Sequence, residues 1–222
     1  MTDEAREGGT TGHQAANDMR FLLSRGYTRK NSLSIVSSRY RVTGEESRML
    51  FRGVYDDSTA GRHREKCLPP ERLAHKVLGV DWFNVLITVD SGLGGDIIVD
   101  SDDGFLRDIR GLHGRHPEGG GLQRAADTIL RGISELGASE VFIFLDANVS
   151  RSGDTAALLR EALSETTLTV EVTTTRTPDT NVASKGVSLS SDSVIVENSR
   201  NSFDLPRHVL SGLEGVAAYV LR

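Results

Sequence analysis

VDWFNVLITVD, residues 80 to 90, is the stretch on which the reading of this chain turns. Val80, Trp82, Phe83, Val85, Leu86, Ile87 and Val89 form a nearly continuous run rich in β-branched and aromatic residues. Such a run predicts a central strand covered by helices on both faces. Asp81 and Asn84 interrupt it. A carboxylate among apolar neighbours must be paired, hydrogen-bonded or metal-bound, because an isolated charge is costly to remove from water. Asp81 is therefore the first functional candidate, and a cap at a turn or strand end is the equally weighted structural alternative.

Outward toward the C-terminus, Gly92, Gly94 and Gly95 superficially suggest a dinucleotide loop. Ile97 to Val99 then read as a strand where that loop requires a helix N-terminus, so a β-hairpin is expected instead. Asp100, Asp102, Asp103 and Gly104 read as a turn and do not match an EF-hand spacing. His113 and His116 lie in a long Gly-rich loop with Arg107, Arg110 and Arg115, and read as polar loop residues before metal ligands. Leu122 to Leu136 predicts an amphipathic helix ended by Gly137. VFIFL (141 to 145) predicts a buried strand ending in Asp146. SRSGD then leads into a helix from Thr155 to Leu163, with Asp154 as N-cap. Leu168 to Thr173 reads as a strand, TPDTN as a turn containing Asp179, and Val187 to Leu189 as a strand running into Ser190, Ser191 and Asp192. This alternation predicts an α/β domain with a mainly parallel sheet between helical layers, over residues 75–222.

Toward the N-terminus, residues 1–12 are polar, lack periodicity and are expected to be disordered. Residues 13–60 predict a small helical domain in three pieces, with Gly26 ending the first, Asn31 capping the second, and Thr43 with Glu46 forming a capping box for the third. Residues 61–74, with Pro69-Pro70, read as a linker. The helical part carries Arg20, Arg25, Arg29, Lys30, Arg39, Arg41, Arg48 and Arg52 against few acids, while the whole chain has a formal net charge of -5. That overall charge argues against a uniformly basic nucleic-acid coat but leaves room for a local one. Arg29, Lys30 and Arg39, with Arg151 of the later loop, are the candidate RNA contacts; a solvated face, or a dock for the acidic remainder, is the structural alternative. The single cysteine, Cys67, excludes an internal disulfide and a cysteine-based zinc site. A polar N-terminus and the lack of a long apolar run lead to the expectation of a cytoplasmic protein without a membrane partner.

Asp81, Asp146 and Asp192 follow or end predicted strands. In an open parallel sheet the carboxyl ends of neighbouring strands face one crevice, so these acids can converge. Convergent carboxylates repel one another, and a hard cation such as Mg²⁺ or Mn²⁺ relieves that repulsion while leaving room for water and phosphate. The chemistry expected is hydrolysis assisted by such a metal.

VDWFNVL, FLDA and SSDS resemble the motifs of the NYN branch of the PIN-like nuclease superfamily, in which an Asp is followed three positions later by Asn. Trp82 stands where that branch usually has Gly. The resemblance spans residues 76 to 210 and implies a three-layer PIN/NYN-like fold. It also implies Asp81, Asp146 and Asp192 as metal ligands, Asn84 as a catalytic positioning group, and Asp179 as an auxiliary ligand, with Asp102, Asp103 or Asp108 as substitutes. The whole chain, through GYTRKNSLSIVSSRYRVTGEESRMLFRGVY, DDGFLRDIRGLHG and FLDANVSRSG, also resembles a two-part family of unknown function. A metal-dependent ribonuclease is the leading expectation, with RNA as partner and homodimerisation left open. A non-catalytic RNA-binding protein with a degenerate nuclease fold and a phosphohydrolase acting on a small molecule are the alternatives.

Overall fold

In the computed structural model, residues 6–7, 10–110 and 121–221 are described. A short strand, β1 (Arg6–Glu7), precedes four helices: α1 (Thr10–Ser24), α2 (Arg29–Tyr40), α3 (Gly44–Gly53) and α4 (Asp57–Lys66). Local chemistry sets their ends. Gly26 adopts φ +83° after α1, which suits a residue without Cβ. Thr43 and Glu46 form the expected capping box of α3. The cap of α2 is Thr28, whose hydroxyl accepts from the Asn31 N–H, so Asn31 receives the cap rather than providing it. Residues 61–66, expected within a linker, continue α4, and Pro70–Arg72 form a single 3-10 turn. Of the tail expected to be disordered, Arg6–Glu7 pair with the C-terminal strand and Thr10 begins α1.

The α/β part follows as β2 (Val77–Asp81), α5 (Trp82–Gly94), β3 (Ile98–Asp100), β4 (Leu106–Asp108), α6 (Leu122–Glu135), β5 (Glu140–Asp146), α7 (Ser152–Ala162), β6 (Val170–Thr175), α8 (Pro178–Ala183), β7 (Val187–Leu189), α9 (Ser193–Asn198), β8 (Ser202–Phe203), α10 (Leu205–Leu210) and β9 (Ala218–Val220). Strands β6-β5-β2-β7-β8 form an all-parallel sheet with β2 at its centre. Strand side chains alternate between two apolar layers. Val141, Ile143 and Leu145 join the core under α5, α6 and α7, whereas Phe142 and Phe144 meet Val182 of α8 and Ile195 of α9 on the opposite face. The result is a three-layer α/β/α arrangement.

The expectation of a strand through residues 80–90 is corrected: the strand stops at Asp81 and the rest is helix. Helix α5 lies between the main sheet, α6, α10 and the smaller sheet. Trp82, Phe83, Val85, Leu86, Thr88 and Val89 are all buried. A helix surrounded in this way shows no polar stripe, so its sequence cannot be told from a buried strand by periodicity. Gly95, at φ +76°, closes α5. The hairpin lies further on, between antiparallel β3 and β4, and turns through Asp102, Asp103 and Gly104. Asp154 lies in the first turn of α7, and Arg151 is the cap residue. Asp179, expected in a turn, sits in the first turn of α8. His113, His116 and Arg115 lie outside the described residues.

A second sheet, β1-β9-β3-β4, joins the helical part to the rest. Met19, Val36, Met49, Leu50 and Val54 share one apolar core with Val99 of β3, Ile109 and Leu221. Gly53 allows this approach, since a Cβ there would stand 2.6 Å from a Val99 methyl. Among the described residues, no helix is long and apolar enough to cross a membrane.

Candidate functional site

Strands β5, β2 and β7 are adjacent and parallel, so their carboxyl ends open on the same side of the sheet. Asp81 ends β2, Asp146 ends β5, and Ser190, Ser191 and Asp192 follow β7. Asp179 is carried to the same side by α8, and Asn84 by the first turn of α5. Asp81, Asn84, Asp146, Asp179 and Asp192 line a cleft of about 490 Å³. The opposite wall comes from the helical part: Leu33 of α2 and Ser47, Arg48, Phe51 and Arg52 of α3, with Asp108 and Ile109 at one side.

Asp81 is half-buried and stands at the N-cap position of α5, but its side chain makes no capping hydrogen bond. Its Oδ2 accepts from the Ser190 hydroxyl at 2.9 Å. Desolvation raises its pKa to about 7, and the negative charges of Asp192 and Asp179 push the same way against the Ser190 hydroxyl and the nearby Asn84 N–H. Asp179 is also raised, first by desolvation and then by Asp192 and Asp146. The four carboxylates therefore feel one another across the cleft.

Other members of the group are also held by local bonds. Asp146 Oδ1 accepts from the backbone and side-chain amides of Asn148 at 2.8 and 2.9 Å. Asp192 caps α9, accepting from Val194 N at 2.8 Å. Asn84 Oδ1 accepts from the Ser191 N–H at 2.9 Å, which ties the start of α5 to the loop after β7. Asn84 thus acts through its neighbours, with its carbonyl turned to that loop.

The structure separates the candidate RNA contacts from this group. Arg29 is turned inward, its Nη1 donating to the carbonyls of Phe51 and Val54 at 2.7 Å each and its guanidinium lying over the Tyr55 ring. Burial lowers its pKa. Lys30 and Arg39 are exposed on α2, where Arg39 pairs with Asp18. Arg151 is exposed and pairs with Asp154, away from the cleft lining. The cations in the cleft are instead Arg48 and Arg52, four residues apart on α3. Their i,i+4 spacing in an Arg-rich helix was the available signal. Arg52 reaches Asp108 Oδ2 at 3.4 Å, so Asp108 is the proposed substitute acid that does line the cleft. Asp102 instead takes a two-pronged contact from Arg20, at 2.8 Å on each oxygen.

Asp103 is committed to a buried network. Arg107 donates to both its oxygens at 2.6 and 2.7 Å, and His63 Nδ1 lies 2.7 Å away. Burial alone would raise the Asp103 pKa, but Arg107 and His63 hold it well below the usual carboxylate range. Arg107 also donates from Nε to the Ser191 carbonyl at 2.7 Å. That bond links the network to the cleft loop.

The donor set facing the cleft is all oxygen, which suits Mg²⁺ or Mn²⁺. Among the described residues, no three carboxylate, imidazole or thiol groups lie close enough to enclose a cation by themselves. A site supplying one or two carboxylates and completed by water and substrate phosphate fits this arrangement.

Residues 70–208 match the model of a family described as Domain of unknown function (DUF5616), and the chain belongs to that family. Residues 13–66 match a second model, Protein of unknown function (DUF434). An uncharacterised protein of Methanocaldococcus jannaschii is 29% identical over 185 residues, covering 83% of this chain and 88% of its own length. No solved structure matches the chain.

Proposed function

We propose that this member of the DUF5616 family is a divalent-metal-dependent ribonuclease. The observation that carries the reading is the cleft lined by Asp81 and Asp146 at the ends of adjacent parallel strands, Asp192 after a third strand and Asp179 on α8, together with Arg48 and Arg52. Five acids, counting Asp108, meet two arginines there. Arg52 offsets Asp108. The remaining negative charge would repel a polyanion unless a cation stood between them. The motif resemblance to NYN nucleases supports the same reading.

Asp81, Asp146 and Asp192 would hold Mg²⁺ or Mn²⁺, one or two of them directly and the rest through bound water, with Asp179 as an auxiliary acid. The bound metal would supply charge neutralisation and an activated water for in-line attack on phosphorus. Asn84 and Ser190 hold the loop that presents Asp192 in register with Asp81. Arg48 is exposed on the facing wall, where a guanidinium can take two phosphate oxygens at once.

The test is manganese binding by calorimetry, followed by cleavage of a labelled RNA, on the wild type and on Asp81→Asn, Asp146→Asn and Asp192→Asn. Each substitution is expected to weaken the metal and abolish cleavage. Unchanged cleavage by Asp81→Asn refutes the reading. RNA binding with no cleavage under any metal favours the non-catalytic alternative.

A further inference from the structure

The carboxylate floor explains where a phosphodiester would be cut but not what is brought to it. The facing wall has a different chemistry. Phe51 is 42% exposed and stands in the cleft lining with Leu33 and Ile109. Its placement is supported from behind: Arg29 donates to the Phe51 carbonyl at 2.7 Å and lies 5.7 Å from the ring centroid. One turn earlier on the same helix, Arg48 faces the same cleft and makes no ion pair within 4.0 Å among the described residues. An aromatic face and a guanidinium one turn apart on α3, flanked by the aliphatic Leu33 of α2 and Ile109 after β4, match the parts of a nucleotide: a flat base and a phosphate.

We propose that α3 and Leu33 form the base-binding wall of the cleft, and that the substrate is a single-stranded RNA presenting one unstacked nucleotide between Phe51 and the carboxylates. This rests on the phosphodiester-cleaving reading for its reaction but not for its binding. The cleft, at about 490 Å³, has room for one nucleotide and its ions. A base within a helix could reach Phe51 only after unpairing and leaving its stack. Single strands expose their π-faces freely, and aromatic side chains bind them with little regard to sequence. Arg48 would hold the phosphate next to that base, between the ring and the acidic floor.

The full chain is tested by fluorescence anisotropy in manganese, with a labelled single-stranded oligoribonucleotide and the same strand annealed to its complement. Asp81→Asn serves as the non-cleaving background, with manganese at a concentration that calorimetry shows to saturate that variant. The single strand is expected to bind at least about tenfold more tightly than the duplex. Phe51→Ala should weaken it by about tenfold or more, and Phe51→Trp should restore it. Arg48→Ala should weaken binding and lower the salt slope by about one. Equal binding of duplex and single strand, no binding of the single strand, or unchanged affinity in both Phe51→Ala and Arg48→Ala would overturn the proposal. If the wild-type chain cleaves RNA while those variants bind as their Asp81→Asn parent does, the reaction stands and this wall is refuted. If binding depends on both residues and no metal gives cleavage, the wall stands and the reaction falls.

Discussion

Replacing Asp81 by asparagine should make the metal-free protein more stable, by an amount that grows with pH. The carboxyl of Asp81 is raised from 3.8 to about 7 by burial and by Asp192 and Asp179. The folded state therefore holds this proton more tightly than the unfolded chain does. Stability is fullest below the unfolded value and is lost as pH rises through about 7. Asparagine keeps an oxygen for the Ser190 hydroxyl and has no proton to lose. At about 1.36 kcal/mol per unit, the advantage of Asp81→Asn should grow by about 3 kcal/mol between pH 4.5 and pH 8. That figure is an upper value, because one side of the half-buried residue faces the cleft. In a chain of this size it corresponds to a rise in melting temperature of about 6 to 12 °C. Thermal unfolding in EDTA at the two pH values measures it. In manganese the gap at pH 8 should narrow, since a ligand at a hundredfold excess over its Kd adds about 2.7 kcal/mol to the form that binds it. A gap that is the same at both pH values, or a variant less stable than the wild type at pH 8, would refute the account of Asp81 as a carboxyl raised by desolvation and by its acidic neighbours.

Three other outcomes follow from the packing. Arg107→Leu leaves Asp103 charged and buried, and should cost about 3–5 kcal/mol in urea unfolding, most of it recovered when Asp103→Leu is added. Thr43→Ala removes the hydroxyl that accepts from Glu46 N and should cost about 1 kcal/mol by the same measurement. Gly79→Ala puts a Cβ 2.8 Å from Lys185 Cγ and 3.0 Å from the Val182 carbonyl; it should cost about 1–3 kcal/mol and, by displacing α8 with Asp179, weaken manganese binding in calorimetry.

The sequence made the layered α/β fold legible because its strands are β-branched and alternate with helices such as α6, whose apolar residues recur at helical spacing. It made α5 illegible for the reason that makes that helix central: burial all round erases the stripe that distinguishes helix from strand. The acids could be grouped in advance because a parallel sheet sends every strand's carboxyl end to one side. The facing wall could not be, since Arg48 and Phe51 of α3 meet Asp108 of β4 only through the way α3 docks on β3 and β4. Arg29 shows the complementary error. Its charge suggested a surface contact, but burial and two backbone carbonyls make it a brace for α3.

The shared core of α1, α2 and α3 with Val99, Ile109 and Leu221 has a consequence for motion. The two family models meet between residues 66 and 70, yet the apolar contacts run across that junction. Local opening of the helices would strip cover from β3 and β9, so its free energy approaches that of global unfolding. The wall and the floor of the cleft then belong to one cooperative unit, and amide protons in α3 should exchange with solvent about as slowly as those in β2.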